Sequence, residues 1–126
     1  MQQYKILVIE DDLDIRDSLL EILDIEGYSV VPAANGREAI ERLSELENNL
    51  PNLILLDLMM PVMDGFEFRR EQLAHKTWST IPVVVMSADA NVKQKLEATG
   101  GPVPAYLKKP VNLDDVLGTV EQSLKH

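Results

Sequence analysis

Short apolar runs alternate with amphipathic stretches along the whole chain. Ile6-Leu7-Val8-Ile9 is the first run. It is continuous rather than alternating, the pattern of a strand buried on both faces. Asp12 to Glu26 follows with Ile15, Leu19, Ile22 and Leu23 on one helical face, and Gly27 is placed to end that helix. Tyr28 to Ala33 reads as a weaker strand. Asn35-Gly36 opens a second helix with Ile40, Leu43 and Leu46 on its apolar side. Leu53-Ile54-Leu55-Leu56 is the third strand, and Met60 to Gly65 reads as loop and turn. Phe66 to His75 predicts a third helix, Ile81 to Met86 a fourth strand, Asn91 to Ala98 a short fourth helix and Pro104 to Lys108 a fifth strand. Asn112 caps the last helix, Asp114 and Asp115 suit its dipole, and Leu113, Val116, Leu117, Val120 and Leu124 form its inward stripe.

Five strands alternating with five helices imply a parallel sheet with helices on both faces. Right-handed crossovers leave few topologies, of which 2-1-3-4-5 is a common one. Ligands in such sheets sit at the carboxyl ends of the strands, where the strand order reverses. At 126 residues the expectation is one domain spanning 1–126.

Charge and composition narrow the function. Twelve Lys and Arg against 21 Asp and Glu give a net charge of -9, which argues against nucleic-acid or anionic-lipid binding. The absence of cysteine removes disulfides, thiolate metal sites and cysteine nucleophiles. The first residues lack the apolar stretch of a signal peptide, and no run approaches the roughly 20 residues of a membrane span. A soluble cytoplasmic domain is the expectation.

The strand ends hold the candidate chemistry. The first strand ends in Glu10-Asp11-Asp12, the third in Asp57, the fourth in Ser87 and the fifth in Lys108-Lys109. Carboxylates converging on one rim repel one another unless a cation neutralises them, and a divalent metal or a lysine can do so. An all-oxygen cluster suits Mg²⁺. A serine hydroxyl and a lysine ammonium suit phosphoryl oxygens. Taken singly, each residue has a plainer reading: first-turn helix acids for Glu10, Asp11 and Asp12, a solvated charge for Asp14, a turn residue for Asp57, a cap for Ser87 and a surface lysine for Lys109. Their joint placement at four strand ends favours the chemical reading. Met59, Met60 and Met63 read as packing residues, and His75 and His126 as solvent-exposed.

With these residues in place, the sequence resembles a response-regulator receiver domain, the phosphoacceptor half of two-component signalling. The resemblance runs nearly end to end. It rests on Ile6 to Asp12, on Leu55-Leu56-Asp57-Leu58-Met59-Met60-Pro61-Val62-Met63-Asp64-Gly65, on Val84-Val85-Met86-Ser87-Ala88 and on Tyr106-Leu107-Lys108-Lys109-Pro110. Four motifs in order and properly spaced are highly specific.

The resemblance implies a flavodoxin-like α/β fold and a set of roles. Asp57 would be the phosphoacceptor. Glu10, Asp11, Asp57 and the backbone carbonyl of Met59 would hold Mg²⁺, with Mn²⁺ a possible substitute and Glu10 acting directly or through water. Ser87 would hold a phosphoryl oxygen. Lys109, the lysine directly before Pro110, would stabilise phosphoryl charge, and the Lys109–Pro110 bond would be cis. Tyr106 would be the aromatic switch; as a plain edge residue it would simply keep its hydroxyl wet. The donor would be the phosphohistidine of a histidine kinase or histidine phosphotransfer protein. The domain would catalyse its own phosphorylation and dephosphorylation without turning over an external substrate. An output partner would read the fourth helix, fifth strand and fifth helix.

That output face departs from common receivers. Gly100-Gly101 ends the fourth helix early, Pro102 and Pro104 stiffen the connection to Tyr106, and Pro104-Ala105 stand where transcription-factor receivers often carry an acidic pair. Dimerisation through that pair is therefore in doubt. Val111 replaces a frequent Phe, and Gly118 weakens the last helix. Two other functions fit less well. A receiver fold that binds partners without being phosphorylated has no need of Asp57, Ser87 and Lys109 together. A Mg²⁺-dependent phosphatase with an aspartyl nucleophile typically carries it on the first strand and has a cap insertion, for which this chain has no room.

Overall fold

The computed structural model describes residues 3–98, 100–101 and 104–125. Five strands, β1 (Lys5–Ile9), β2 (Ser29–Ala33), β3 (Leu53–Asp57), β4 (Val83–Ser87) and β5 (Ala105–Lys108), alternate with helices. The helices are α1 (Leu13–Ile25), α2 (Gly36–Glu45), α3 (Gly65–Ala74), α4 (Val92–Ala98) and α5 (Leu113–Leu124). The strands form one parallel sheet in the order β2-β1-β3-β4-β5.

The period-2 geometry of the strands sorts their side chains into two cores. Leu7, Ile9, Ile54, Leu56 and Val85 pack on one face with Ala39 and Leu43 of α2, Phe68 of α3 and Leu96 of α4. Ile6, Val8, Leu53, Leu55, Val84 and Met86 pack on the other with Leu19 and Leu23 of α1 and Val116 and Val120 of α5. β1 is followed by a helix on one face and β3 by a helix on the other. Their carboxyl ends therefore flank the crevice at which the strand order reverses.

Caps fix where the helices begin. Asp12 Oδ1 accepts from the Ile15 N–H at 3.1 Å, which identifies Asp12 as the cap of α1 rather than a member of the acidic cluster. Asp64 and Glu67 form a reciprocal capping box at α3. Gly65 lets the β3–α3 connection fold back over the end of β3. A Cβ there would lie 2.7 Å from Leu58 Cα and 2.8 Å from the Asp57 carbonyl oxygen. The same loop is tied to α2 by Gly36 N–H donating to the Met63 carbonyl at 3.0 Å.

Some local expectations change. Leu113 does not join the inward stripe of α5; it is the first helical residue, past the end of the sheet, and is 37% exposed. His75 is half-buried, because a 3₁₀ turn at Trp78–Thr80 brings the Trp78 ring into parallel stacking on it at 3.8 Å between centroids. Met60 and Met63 pack against the core, whereas the Met59 side chain is 68% exposed. Gly100 and Gly101 both adopt left-handed φ, 84° and 72°. Pro102 and His126, read above as a stiffener and as an exposed histidine, lie outside the described residues. No helix among the described residues is long and apolar enough to cross a membrane.

Candidate functional site

β1 delivers Glu10 and Asp11 to the rim. The Glu10 N–H still donates to the Ala33 carbonyl at 3.0 Å, so the sheet pairing holds this residue rigidly past the end of the strand. Its side chain is fully buried. Oε1 accepts from Lys109 Nζ at 3.1 Å and Oε2 from the Asp12 N–H at 3.2 Å. Asp11 follows, exposed, with its carboxylate turned toward the same point. One oxygen each from Glu10, Asp11 and Asp57 lie within 4.8 Å of one another.

Asp57 is the last residue of β3 and is 1% exposed. Its Oδ1 accepts from the Met59 N–H at 3.3 Å and pairs with Lys109 Nζ at 3.2 Å. Its Oδ2 is buried and has no hydrogen-bond partner. Burial first, and then the Glu10 carboxyl beside it, push the Asp57 carboxyl up to about 7 against the weaker pull of Lys109. Lys109 responds in the opposite sense. Burial alone would lower its pKa, but the hydrogen bonds and charges of Glu10 and Asp57 outweigh that and hold the ammonium above the ordinary lysine value.

Lys109 reaches inward from the end of β5. Its N–H donates to the Ser87 carbonyl at 2.9 Å, and the Lys109–Pro110 peptide is cis. Ser87 ends β4, one residue beyond Met86, the partner of Asp57 across the ladder. It is buried, and its Oγ accepts from the Asp89 N–H at 3.0 Å, so its own proton stays available. The Asp89 carboxylate is bound by Lys95 and accepts from the Asn91 N–H at 2.8 Å. The Lys95 bond first, and then the Asn91 bond, hold Asp89 below the usual carboxylate range. Tyr106 stands apart from this cluster. It is 46% exposed on the edge strand, beside a cavity of about 160 Å³ lined by Ser87, Asp89, Ala90, Val92 and Lys93.

The arrangement leaves three carboxylates facing one ammonium, an unpartnered buried oxygen and a raised carboxyl. That is a site short of positive charge and made wholly of hard oxygen donors. A small divalent cation such as Mg²⁺ fits both conditions. Two further contacts were not legible in the sequence. Arg16 Nη1 donates to the Glu10 backbone carbonyl at 3.1 Å, and Lys95 closes on Asp89 across the turn into α4. The first joins a side chain to a main-chain atom and the second depends on loop shape, so residue types alone do not reveal them.

The sheet order and this rim define a doubly wound α/β domain with a carboxylate–lysine site at its switch point. The sequence pattern of the response regulator receiver domain matches residues 6–121, and the chain belongs to that family. It is 34% identical over 121 residues to the response regulator MprA of Mycobacterium sp. (strain KMS), a match covering 96% of this chain and 50% of that protein. The chain thus spans about half the length of the curated relatives it matches. Among solved structures it resembles the chemotaxis response regulator CheY4 of Vibrio cholerae, with TM-score 0.83 and 30% identity over 97% of this chain and 99% of that one. The signal receiver domain of a signal transduction histidine kinase from Syntrophus aciditrophicus is similar at TM-score 0.84 and 29% identity, covering 97% of this chain and 90% of that one. The CheY-like receiver domain protein of Methanospirillum hungatei JF-1 matches at TM-score 0.81 and 32% identity, over 98% and 95% of the two chains.

Proposed function

We propose that residues 1–126 act as one cytoplasmic receiver unit that takes a phosphoryl group onto Asp57. The donor is a phosphohistidine of a histidine kinase or histidine phosphotransfer protein. The observation that carries this reading is Asp57 itself: a buried strand-end carboxylate with one free oxygen, two acidic neighbours and a lysine in contact. An Asp57 oxygen attacks phosphorus, the P–N bond to the imidazole breaks, and an acyl phosphate forms. Lys109 offers its ammonium to the phosphoryl oxygens, and Ser87 offers its free hydroxyl proton. Glu10, Asp11, Asp57 and the Met59 carbonyl would hold Mg²⁺, or Mn²⁺ in its place. The metal would supply neutralisation of the oxygens on which charge gathers.

The acyl phosphate is then hydrolysed by water in the same site. While it persists, the Ser87 hydroxyl follows the phosphoryl group and must release the Asp89 N–H it now accepts. That frees the turn into α4, and the cavity beside Tyr106 gives the ring an inward position. The output partner reads α4, β5 and α5. Intact mass after incubation with acetyl phosphate and Mg²⁺ tests the reading. One phosphoryl addition is expected, and none in Asp57→Asn. No addition to the wild-type chain would leave a receiver fold that acts by binding alone.

A further inference from the structure

Arg16 lies on α1, outside the carboxylate cluster, yet it touches the segment that builds it. The Glu10 carbonyl stands where β1 has ended and the sheet no longer supplies donors. Arg16 Nη1 reaches back six residues and donates to it at 3.1 Å. That carbonyl belongs to the peptide plane joining Glu10 to Asp11. The two carboxylates at this point are held very differently. Glu10 is buried and bound at both oxygens. Asp11 is exposed, and its carboxylate faces the Asp57 carboxyl. Its aim is set through the backbone, and side chains hold both peptides that flank it: Arg16 at the Glu10 carbonyl and Glu10 Oε2 at the Asp12 N–H.

We infer that Arg16 is a positioning residue: by fixing the Glu10–Asp11 peptide it aims the Asp11 carboxylate into the cation site. The inference rests on the metal reading above. It also predicts a sign that simple charge does not. A guanidinium near a cation site repels the cation, so removing it should tighten binding if charge were its only effect. Removing an anchor should weaken binding, as outer partners of metal ligands do.

The experiment is calorimetric titration of the 126-residue chain with Mg²⁺. Arg16→Met should weaken binding about tenfold, the scale of losing an outer-shell partner. Arg16→Lys, which keeps a charge and a donor, should recover part of the loss. In an Asp11→Asn background Arg16→Met should cost nothing further. Arg16→Met binding Mg²⁺ as well as or better than wild type overturns the inference, as does the same fold-loss in both backgrounds. A purely structural role would lower thermal stability without this dependence on Asp11. A metal-free readout separates the inference from the reading it rests on: the Asp11 amide resonance should move in Arg16→Met while that of Val8 stays put. An unmoved Asp11 amide overturns the positioning role even if Mg²⁺ binds. A wild-type chain with no Asp11-dependent Mg²⁺ uptake overturns the metal reading, and this inference with it.

Discussion

Val62 carries a φ of 71°, the single positive value at a non-glycine among the described residues. A β-branched side chain crowds its own backbone there, at a cost of about 1–3 kcal/mol. Nothing repays that by packing, since Val62 is 72% exposed. Val62→Asn keeps a side chain but suits the left-handed region. It should stabilise the domain by about 1 kcal/mol, read as a higher urea midpoint at unchanged slope. A lower midpoint would mean the valine makes contacts worth more than its strain. Asp57 makes the second prediction at this scale. Its folded carboxyl lies at about 7 against 3.8 for the unfolded chain. Below the lower value both states hold the proton. Between the two values only the native state does, so stability falls as pH rises through that window, and above it the penalty is constant. Asp57→Asn should therefore be more stable than wild type at pH 8, on the order of a few kcal/mol, with the gap closing toward pH 4. The same proton competes with a cation, so Mg²⁺ affinity should rise with pH up to about 7 and then level off. Urea titrations of both proteins across that range check the first statement. A gap that does not change with pH would show that Asp57 is ionised in the native state throughout.

Two glycines show how differently the elements hold their places. A Cβ at Gly118 would meet nothing within 4 Å, and the residue is exposed within α5. Gly118→Ala should therefore stabilise α5 by about 0.5–1 kcal/mol through helix propensity alone. A Cβ at Gly65 would meet Leu58 Cα at 2.7 Å and the Asp57 carbonyl oxygen at 2.8 Å. Backbone cannot move aside cheaply at such distances. Gly65→Ala should destabilise by a few kcal/mol and lower the phosphoryl uptake proposed for Asp57, because the loop that seats it is forced outward. Thermal melts of the pair, with opposite shifts expected, check both statements. These elements also show what a sequence discloses. The strands β1, β3 and β4 announced themselves because both their faces are buried, which leaves continuous apolar runs. The strand-end carboxylates, Ser87 and Lys109 were legible because parallel topology sends every strand end to one rim. Leu113 was misassigned because helical period says nothing about where the neighbouring sheet stops. The stacking of His75 on Trp78 was hidden because it depends on how a 3₁₀ turn folds back. Arg16 was hidden because its partner is a backbone carbonyl.

Across the whole molecule the sheet has two unlike rims, and its polarity decides what a spectroscopic probe can see. Asp57 and Ser87 close β3 and β4 at the carboxyl rim. Trp78, the sole tryptophan, lies in the connection that enters β4 at the opposite, amino rim. The five residues of β4 stand between them, about 17 Å at 3.3–3.4 Å per residue. Trp78 is also closed off locally. It is 5% exposed and stacked on His75, and its carbonyl accepts from Gln72 Nε2 at 2.9 Å. A cation at the carboxylate cluster can neither touch this ring nor change the water around it. Trp78 emission should therefore stay constant when Mg²⁺ is added to saturation, with saturation established by calorimetry. His75→Ala should change the emission, because it removes the stacked ring, and unfolding should change it more. A saturable quench by Mg²⁺ that disappears in Asp11→Asn would show that the site's state is transmitted through the β4 core to the far rim. The sheet would then be a moving part of the switch rather than its rigid floor.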